Sequence, residues 1–290
     1  MRSLSARVRF LNFFRNVFKL SFLENELKNF TLGKSTDNFF SKLVPNSYQY
    51  PPNSVRTVYR NALRLQVDLS DYVGHYLYFG FQEKSLDKLF LLCNKNSYVL
   101  DVGANIGWTL LKMASISKSG KVIGFEPEPF NYSICRKNIS LNTLDNVMVL
   151  PVGLGIEKST AMMEIRTLSN RGGNRVSPQY KEGSVSVRID RLDGIDEIKG
   201  WPKIDLIKID VEGYELHVLE GAGTILSDFK PTLFIEVDDN NLRDQGKSAR
   251  LLVSFLVNQG YKNILNAETD DEVTINTDFK NCHFDIIATK

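Results

Sequence analysis

From Ser97 onward, short runs of apolar and branched residues alternate with stretches of helical spacing, and this alternation constrains the fold more than any other feature. Tyr98-Val-Leu-Asp-Val-Gly reads as a buried strand closed by a turn residue, Trp108 to Ile116 as a helix, and Lys121 to Phe125 as a second strand. Glu128 to Leu141 is helical in spacing and Val147 to Val152 is a third strand. Two shorter β-rich runs, Ala161 to Arg166 and Val185 to Ile189, flank a loop from Ser169 to Gly183 that carries Arg171 and Arg175. Ile204 to Ile209 is continuous and branched, as in a strand buried on both faces. A helix over Tyr214 to Leu226, a strand over Thr232 to Val237 and a helix over Lys247 to Asn258 follow, and Tyr261–Leu265, Glu272–Ile275 and His283–Ala288 read as antiparallel strands. Strand and helix in alternation require right-handed crossovers and a mostly parallel sheet. Such sheets bind ligands beyond the carboxyl ends of their strands, where the strand order reverses.

Two strand ends carry the informative residues. After the first comes Asp101-Val-Gly-Ala-Asn-Ile-Gly107, which departs from the dinucleotide fingerprint at 101 and 106. A carboxylate at 101 would repel a pyrophosphate, whereas it matches a ligand with an ammonium group. Gly103 and Gly107 let the chain pass close to such a ligand. After the second strand comes Phe125-Glu126-Pro-Glu-Pro129, with an acid about 25 residues past the first motif, placed to bind the two hydroxyls of a ribose. A ribose with an ammonium and no pyrophosphate suggests S-adenosylmethionine.

Several blocks now resemble a known family. Val99-Leu-Asp-Val-Gly-Ala-Asn-Ile-Gly107, Gly124-Phe-Glu-Pro-Glu128 and Ile207-Lys-Ile-Asp-Val-Glu-Gly-Tyr-Glu215 look like the signature blocks of the FkbM-type methyltransferases. Val187-Arg-Ile-Asp-Arg-Leu192, Val218-Leu-Glu-Gly-Ala222 and Phe234-Ile-Glu-Val237 extend the match. The resemblance implies an α/β, class I, Rossmann-like fold: a mostly parallel sheet with helices on both faces and antiparallel C-terminal strands. It implies S-adenosylmethionine as methyl donor and O-methylation of a sugar or other small-molecule acceptor, glycans included. Carried over block by block, Asp101, Gly103, Asn105 and Gly107 would surround the donor's methionine part and Glu126 its ribose. Asp210 would contact its amino group, and Glu83 of Gly80-Phe-Gln-Glu83 would help seat it. Asn142 and Gly153 would face the adenine edge, although Glu83 and Asn142 read equally as a surface residue and a helix cap.

For catalysis the expected residues are Asp210, Glu212 and Glu236. A hydroxyl acceptor needs a base or a metal beside it. Asp210, Glu236 and Asp238 converging at two strand ends would suit Mg²⁺, the alternative being that Asp210 and Glu212 cap the next helix. His217 is a further candidate base, while His75 and His283 have no motif around them. Arg171 and Arg175 in the long loop would favour an anionic acceptor, or else lie in a solvated connection. Competing functions are an RNA or protein methyltransferase, whose Lys-Asp-Lys-Glu or Asn/Asp-Pro-Pro-Tyr/Phe signatures Asp210-Val-Glu-Gly does not match, and an inactive donor-binding module.

Residues 1–75 lie outside the resemblance and read as a helical and irregular extension to a Rossmann-like domain over 76–290. Met1 to Leu20 carry five basic residues and no acid, with Leu4, Val8, Leu11, Phe14, Phe18 and Phe22 near a helical stripe. Arg15 and Lys19 interrupt the run too early for a membrane span, and a signal peptide fits poorly because Asn12 and Arg15 break the apolar stretch and no small-residue cleavage site follows. Residues 1–22 therefore read as a basic amphipathic helix on an anionic membrane surface or, more plainly, as a helix docked on its own domain or in a homodimer. Thr31 to Pro52 reads as linker. The Gly-Lys-Ser triplets at Gly33 and Gly246 lack the glycine five positions earlier that a phosphate loop needs.

Composition excludes rather than identifies. With 290 residues, 42% hydrophobic and 24% charged, the chain is not of a disordered, collagen-like or disulfide-scaffold type. A net charge of +2 argues against broad nucleic-acid binding. Cys93, Cys135 and Cys282 form no metal-ligand spacing, as expected of inert thiols in a reduced, cytoplasmic protein, one that membrane contact would make peripheral.

Overall fold

The strand–helix alternation builds a seven-stranded sheet in a computed structural model that describes residues 6–167, 170–177 and 181–290. The residues divide into two compact units. One holds the described residues up to Glu83 together with Thr167 and 170–172; the other holds Lys84–Arg166 and the described residues from Gly173 to Lys290.

The smaller unit contains α1 (Ala6–Arg15), α2 (Ser21–Thr31), α3 (Phe39–Leu43), the antiparallel hairpin β1 (Val55–Arg60) and β2 (Leu63–Asp68), and α4 (Tyr72–Phe79). The expectation of a purely helical and irregular extension is thereby corrected. Asn61 and Ala62 form a two-residue turn with positive φ at both positions, the geometry that matches strand twist, and neither is a glycine to announce it.

In the larger unit the parallel strands are β3 (Tyr98–Val102), β4 (Lys121–Phe125), β5 (Val147–Leu150), β10 (Leu206–Ile209) and β11 (Thr232–Asp238). Two further strands, β12 (Asn263–Asn266) and β13 (His283–Thr289), complete the order β12-β13-β11-β10-β3-β4-β5. β13 runs antiparallel between β11 and β12, which is the class I methyltransferase arrangement. A small second sheet is formed by β6 (Gly153–Leu154), β7 (Ser159–Glu164), β8 (Arg175–Ser177) and β9 (Val185–Asp190).

Period-two alternation assigns the faces. Leu100, Ile207 and Ile235 pack with the helices α8 (Glu215–Glu220), α9 (Gly223–Asp228) and α11 (Ala249–Asn258). Val99, Leu206 and Phe234 pack on the other face with α5 (Lys84–Leu91), α6 (Trp108–Ile116) and α7 (Pro129–Ser140). Asp101, Lys208 and Glu236 share this second face by parity, and Asp238, His283 and Asp285 join them through the β11–β13 register, so charged residues enter an apolar layer at the carboxyl ends of the strands.

The single helix expected over Tyr214 to Leu226 is two short ones. A Cβ on Gly221 would collide with the Gly155 carbonyl, so the chain must turn there. The Asp193 carboxylate then restarts the helix, accepting from Thr224 N at 3.1 Å and Ile225 N at 3.0 Å. Glu272–Ile275 is a turn with one bridge, Leu265 to Glu272, and not a strand. Among the described residues no helix is long and apolar enough to cross a membrane. Gly221→Ala is expected to lower unfolding stability by about 1–3 kcal/mol, read as a lower urea midpoint with unchanged slope.

Candidate functional site

The strand order reverses at β3, and the crevice lies beyond the carboxyl ends of β3 and β10. Gly103 has φ +83°, and an added Cβ would overlap the Asp210 carbonyl, so the turn after β3 can press against the end of β10 only as glycine. Gly107, at φ +90°, packs on the Cys135 side chain, though less tightly. Every amide of this turn is already bonded within the protein. Gly103 N and Ala104 N donate to Phe125 O, each at 3.0 Å, and Gly107 N to Ala104 O at 2.8 Å. Asn105 N donates to Glu126 Oε2 at 2.8 Å and Ile106 N to Asn105 Oδ1 at 2.7 Å. No amide of 103–107 points outward to cradle a diphosphate, which separates this turn from a dinucleotide loop.

Asp101 is the first correction to the expected site. It is fully buried, accepts the Thr109 hydroxyl at 2.6 Å, and lies 3.4 Å from the Lys208 ammonium. It does not face a ligand directly. Lys208, opposite Asp101 in the β3–β10 register, also reaches Asp210 Oδ2 at 3.1 Å and donates to the Gly103 carbonyl at 3.0 Å. Burial disfavours its charge, but the two carboxylates overcome that and raise its pKa above the usual lysine range. The negative charge that reaches the crevice surface belongs to Asp210, whose side chain is 42% exposed.

Glu126 is buried at the end of β4 and ties two turns together, accepting from Asn105 N at 2.8 Å and Glu128 N at 2.9 Å. Burial pushes its carboxyl up to about 7. Each oxygen keeps acceptor capacity beyond its one amide bond, so ribose hydroxyls can add to this arrangement. Gly153 lies against Pro127, the residue after Glu126, so it is brought to the same edge. Asn142 is not. The twelve residues of α7 carry the chain about 18 Å away from Glu128, and Asn142 caps that far end by donating to Asn138 O at 2.7 Å. Glu83 is exposed at the end of the smaller unit.

Beyond β10 the chain turns sharply, with Glu212 at φ +55°. Glu215 holds this turn, its Oε1 accepting from Val211 N at 3.2 Å and Gly213 N at 2.9 Å. Asn241 Nδ2 donates to Glu212 Oε2 at 2.8 Å. Burial, then the neighbouring Asp210, pushes the Glu212 carboxyl up to about 7.

Register across β11 and β13 sets Glu236 opposite Asp285 and Asp238 opposite His283. The His283 ring lies 3.1 Å from Glu236 Oε1 and 3.6 Å from Asp238 Oδ2. Its hydrogen bond to Glu236 raises it to about 9, so the ring is an imidazolium at neutral pH. Asp285, raised to about 6 by burial, completes the group.

These pairings correct the metal expectation. Asp210 is bound to Lys208, and Glu236 and Asp238 to His283. Among the described residues no set of three His, Cys, Asp or Glu is arranged to hold a metal ion. The donor set does not fit Mg²⁺. His217 is not in this group; its ring stacks on Tyr214 at 4.2 Å. Arg175 is neutralised by Glu164 at 3.4 Å and Asp244 at 2.6 Å and is no anion clamp. The Arg171 amide donates to Asp71 Oδ1 at 2.8 Å, and Ser169 lies outside the described residues. Burial pushes the Cys93 thiol up to about 12 and raises those of Cys135 and Cys282, as befits unreactive thiols.

Lys208, Glu215, Asn241, His283 and Asp285 are the members missed from sequence. Lys208 did leave a signal, a lone cation inside an apolar run. His283 and Asp285 depend on the β11–β13 register, which no local pattern encodes.

Lys208→Met removes the cation from buried Asp101 and is expected to cost roughly 3–5 kcal/mol in urea unfolding. Adding Asp101→Asn should recover part of that loss; strictly additive losses in the double variant would show that the pair is uncoupled.

Comparisons with known proteins agree with this architecture. The chain is 30% identical to methyltransferase sdnD of Sordaria araneosa, over 50% of this chain and 68% of that one. It is 32% identical to hexuronic acid methyltransferase AglP of Haloferax volcanii, over 43% of this chain and 50% of that one. It is 24% identical to 2-O-methyltransferase NoeI of Sinorhizobium fredii, over 57% and 73%. The chain thus spans between half and about three quarters of the length of these relatives. The family model for the methyltransferase FkbM domain matches residues 101–262, more than half of the chain and the whole run from Asp101 through Glu236. The chain belongs to the FkbM family of S-adenosylmethionine-dependent methyltransferases.

Proposed function

We propose that the chain methylates a hydroxyl group of a sugar or other small molecule. The observation that carries this reading is Glu212, a carboxylate held at the crevice by a left-handed turn and tuned to about 7. A base for a weakly acidic hydroxyl works best when its pKa lies near the operating pH. The functions of two relatives, a hexuronic acid methyltransferase and a 2-O-methyltransferase, support the same direction.

S-adenosylmethionine, when bound, supplies a methyl group already activated on a sulfonium. Asp210 is the surface acid suited to its ammonium, and Glu126 is suited to its ribose hydroxyls. The glycine turn at 103–107 leaves room beside both. On the acceptor side Glu212 takes the hydroxyl proton, and Asn241 fixes the orientation of its carboxylate. Glu215 holds the backbone turn that presents Glu212. His283, as imidazolium, balances Glu236 and Asp238 and favours the ionised form of Glu212, as does Arg166.

Glu212 must be ionised to accept a proton, so kcat/KM is expected to rise with pH through a midpoint of about 7. Glu212→Gln should lower kcat by about 10²–10⁴-fold and abolish that limb. His283→Ala removes a positive charge that lowers the Glu212 pKa, so the limb should move to higher pH; a shift to lower pH would contradict the assignment. EDTA should leave the rate unchanged. The direct test is transfer of labelled methyl to a panel of hydroxyl, amine and RNA acceptors, with the linkage read by NMR. Label on nitrogen or on RNA, with none on oxygen, would overturn the proposal.

A further inference from the structure

The first amino-terminal helix is docked inside out. α1 meets the rest of its unit through polar groups: Asn12 Nδ2 donates to Tyr48 OH at 3.0 Å, Gln49 Nε2 to Asn12 O at 3.1 Å, and Arg15 Nε to Lys42 O at 2.9 Å. Lys19 donates to the Gln49 carbonyl. α2 buries Leu27 together with Glu24, paired with Arg56 at 2.8 Å, and Thr31, whose hydroxyl donates to Phe79 O at 2.7 Å. The apolar stripe that ordinarily seeks a core is left outside. Phe10 is 64% exposed, Phe13 72%, Phe14 52% and Val17 52%, at the i, i+3, i+4, i+7 spacing of one helix face. Leu20 and Phe22, 64% and 72% exposed, continue the apolar surface toward α2.

Such a face needs an occupant, and the charge around it selects one. Residues 8–23 contain Arg9, Arg15 and Lys19 and no acid. A symmetric contact with a second copy would bring the same cations face to face. A negatively charged surface into which aromatic rings can sink meets both the charge and the apolarity. We propose that residues 9–23 are a docking surface for an anionic lipid bilayer, with Phe10, Phe13, Phe14 and Phe22 entering the headgroup boundary and exposed Arg9 beside them facing lipid phosphates, while Arg15 and Lys19 stay in the polar seam. The polar seam beneath α1 holds the helix in the plane that such contact requires.

The test is co-sedimentation of the full chain with vesicles of phosphatidylcholine alone and with about 30% phosphatidylglycerol, a fraction that supplies a negative surface potential. Binding is expected only to the anionic vesicles. It should weaken as ionic strength rises from about 0.1 to about 1 M, which shortens screening from about 10 to about 3 Å. Phe10→Ser, Phe13→Ser and Phe22→Ser together should weaken it roughly tenfold or more. These side chains are solvent-exposed, so the thermal midpoint should not change. Phe13→Trp offers an independent reading: its emission should shift to the blue on anionic vesicles and be quenched by brominated lipid. Failure of the chain to sediment with anionic vesicles would overturn the proposal. So would binding unaffected by the triple change, or a dimer in sedimentation velocity that the triple change converts to monomer.

Discussion

One ammonium group organises the centre of this molecule. Lys208 is buried in a strand whose other residues are apolar, at the cost of its hydration, and the carboxylates of Asp101 and Asp210 offset that cost only when β3 and β10 stand in their observed register. A slip of one residue would turn Lys208 to the opposite face, against Leu219 and Leu226. Because Lys208 also bonds the Gly103 carbonyl, the same contact fixes the glycine turn. Sheet register and crevice shape are therefore set by one interaction.

The electrostatic division of the crevice follows from this. Asp101 is consumed in holding Lys208, and Asp210 is left to present charge at the surface. On the far side, His283 moderates a cluster that would otherwise carry several mutually repelling carboxylates. Glu212 stands where burial and the neighbouring Asp210 raise its carboxyl to about 7 while Arg166 and His283 limit the shift.

Much of the fold was legible because its determinants are local. Strands β3, β4 and β11 and helices α6, α7 and α11 carry periodicity and turn residues that point to nearly the same boundaries, and Glu128 caps α7. What escaped is non-local. Gly221 breaks a well-patterned helix because of a neighbour 66 positions earlier, Gly155. The hairpin turn at Asn61-Ala62 lacks the expected glycine. Asp101 was read correctly as significant but in the wrong role, since a lone strand cannot show that a lysine will stand beside it. Asn142 failed for a simpler reason: a full helix separates it from the strand end on which the argument rested.

The position of β13 has a consequence for how the chain is made. It is synthesised after every other strand of the sheet, yet it fills the gap between β11 and β12 rather than an outer margin. Until residues 283–289 emerge, β11 shows bare amides and carbonyls along Leu233–Asp238, and Glu236 lacks the imidazole that compensates it. The nascent protein thus passes through a stage with an open seam at its middle, vulnerable to pairing with other chains and closed only by the arrival of the strand that also completes the crevice.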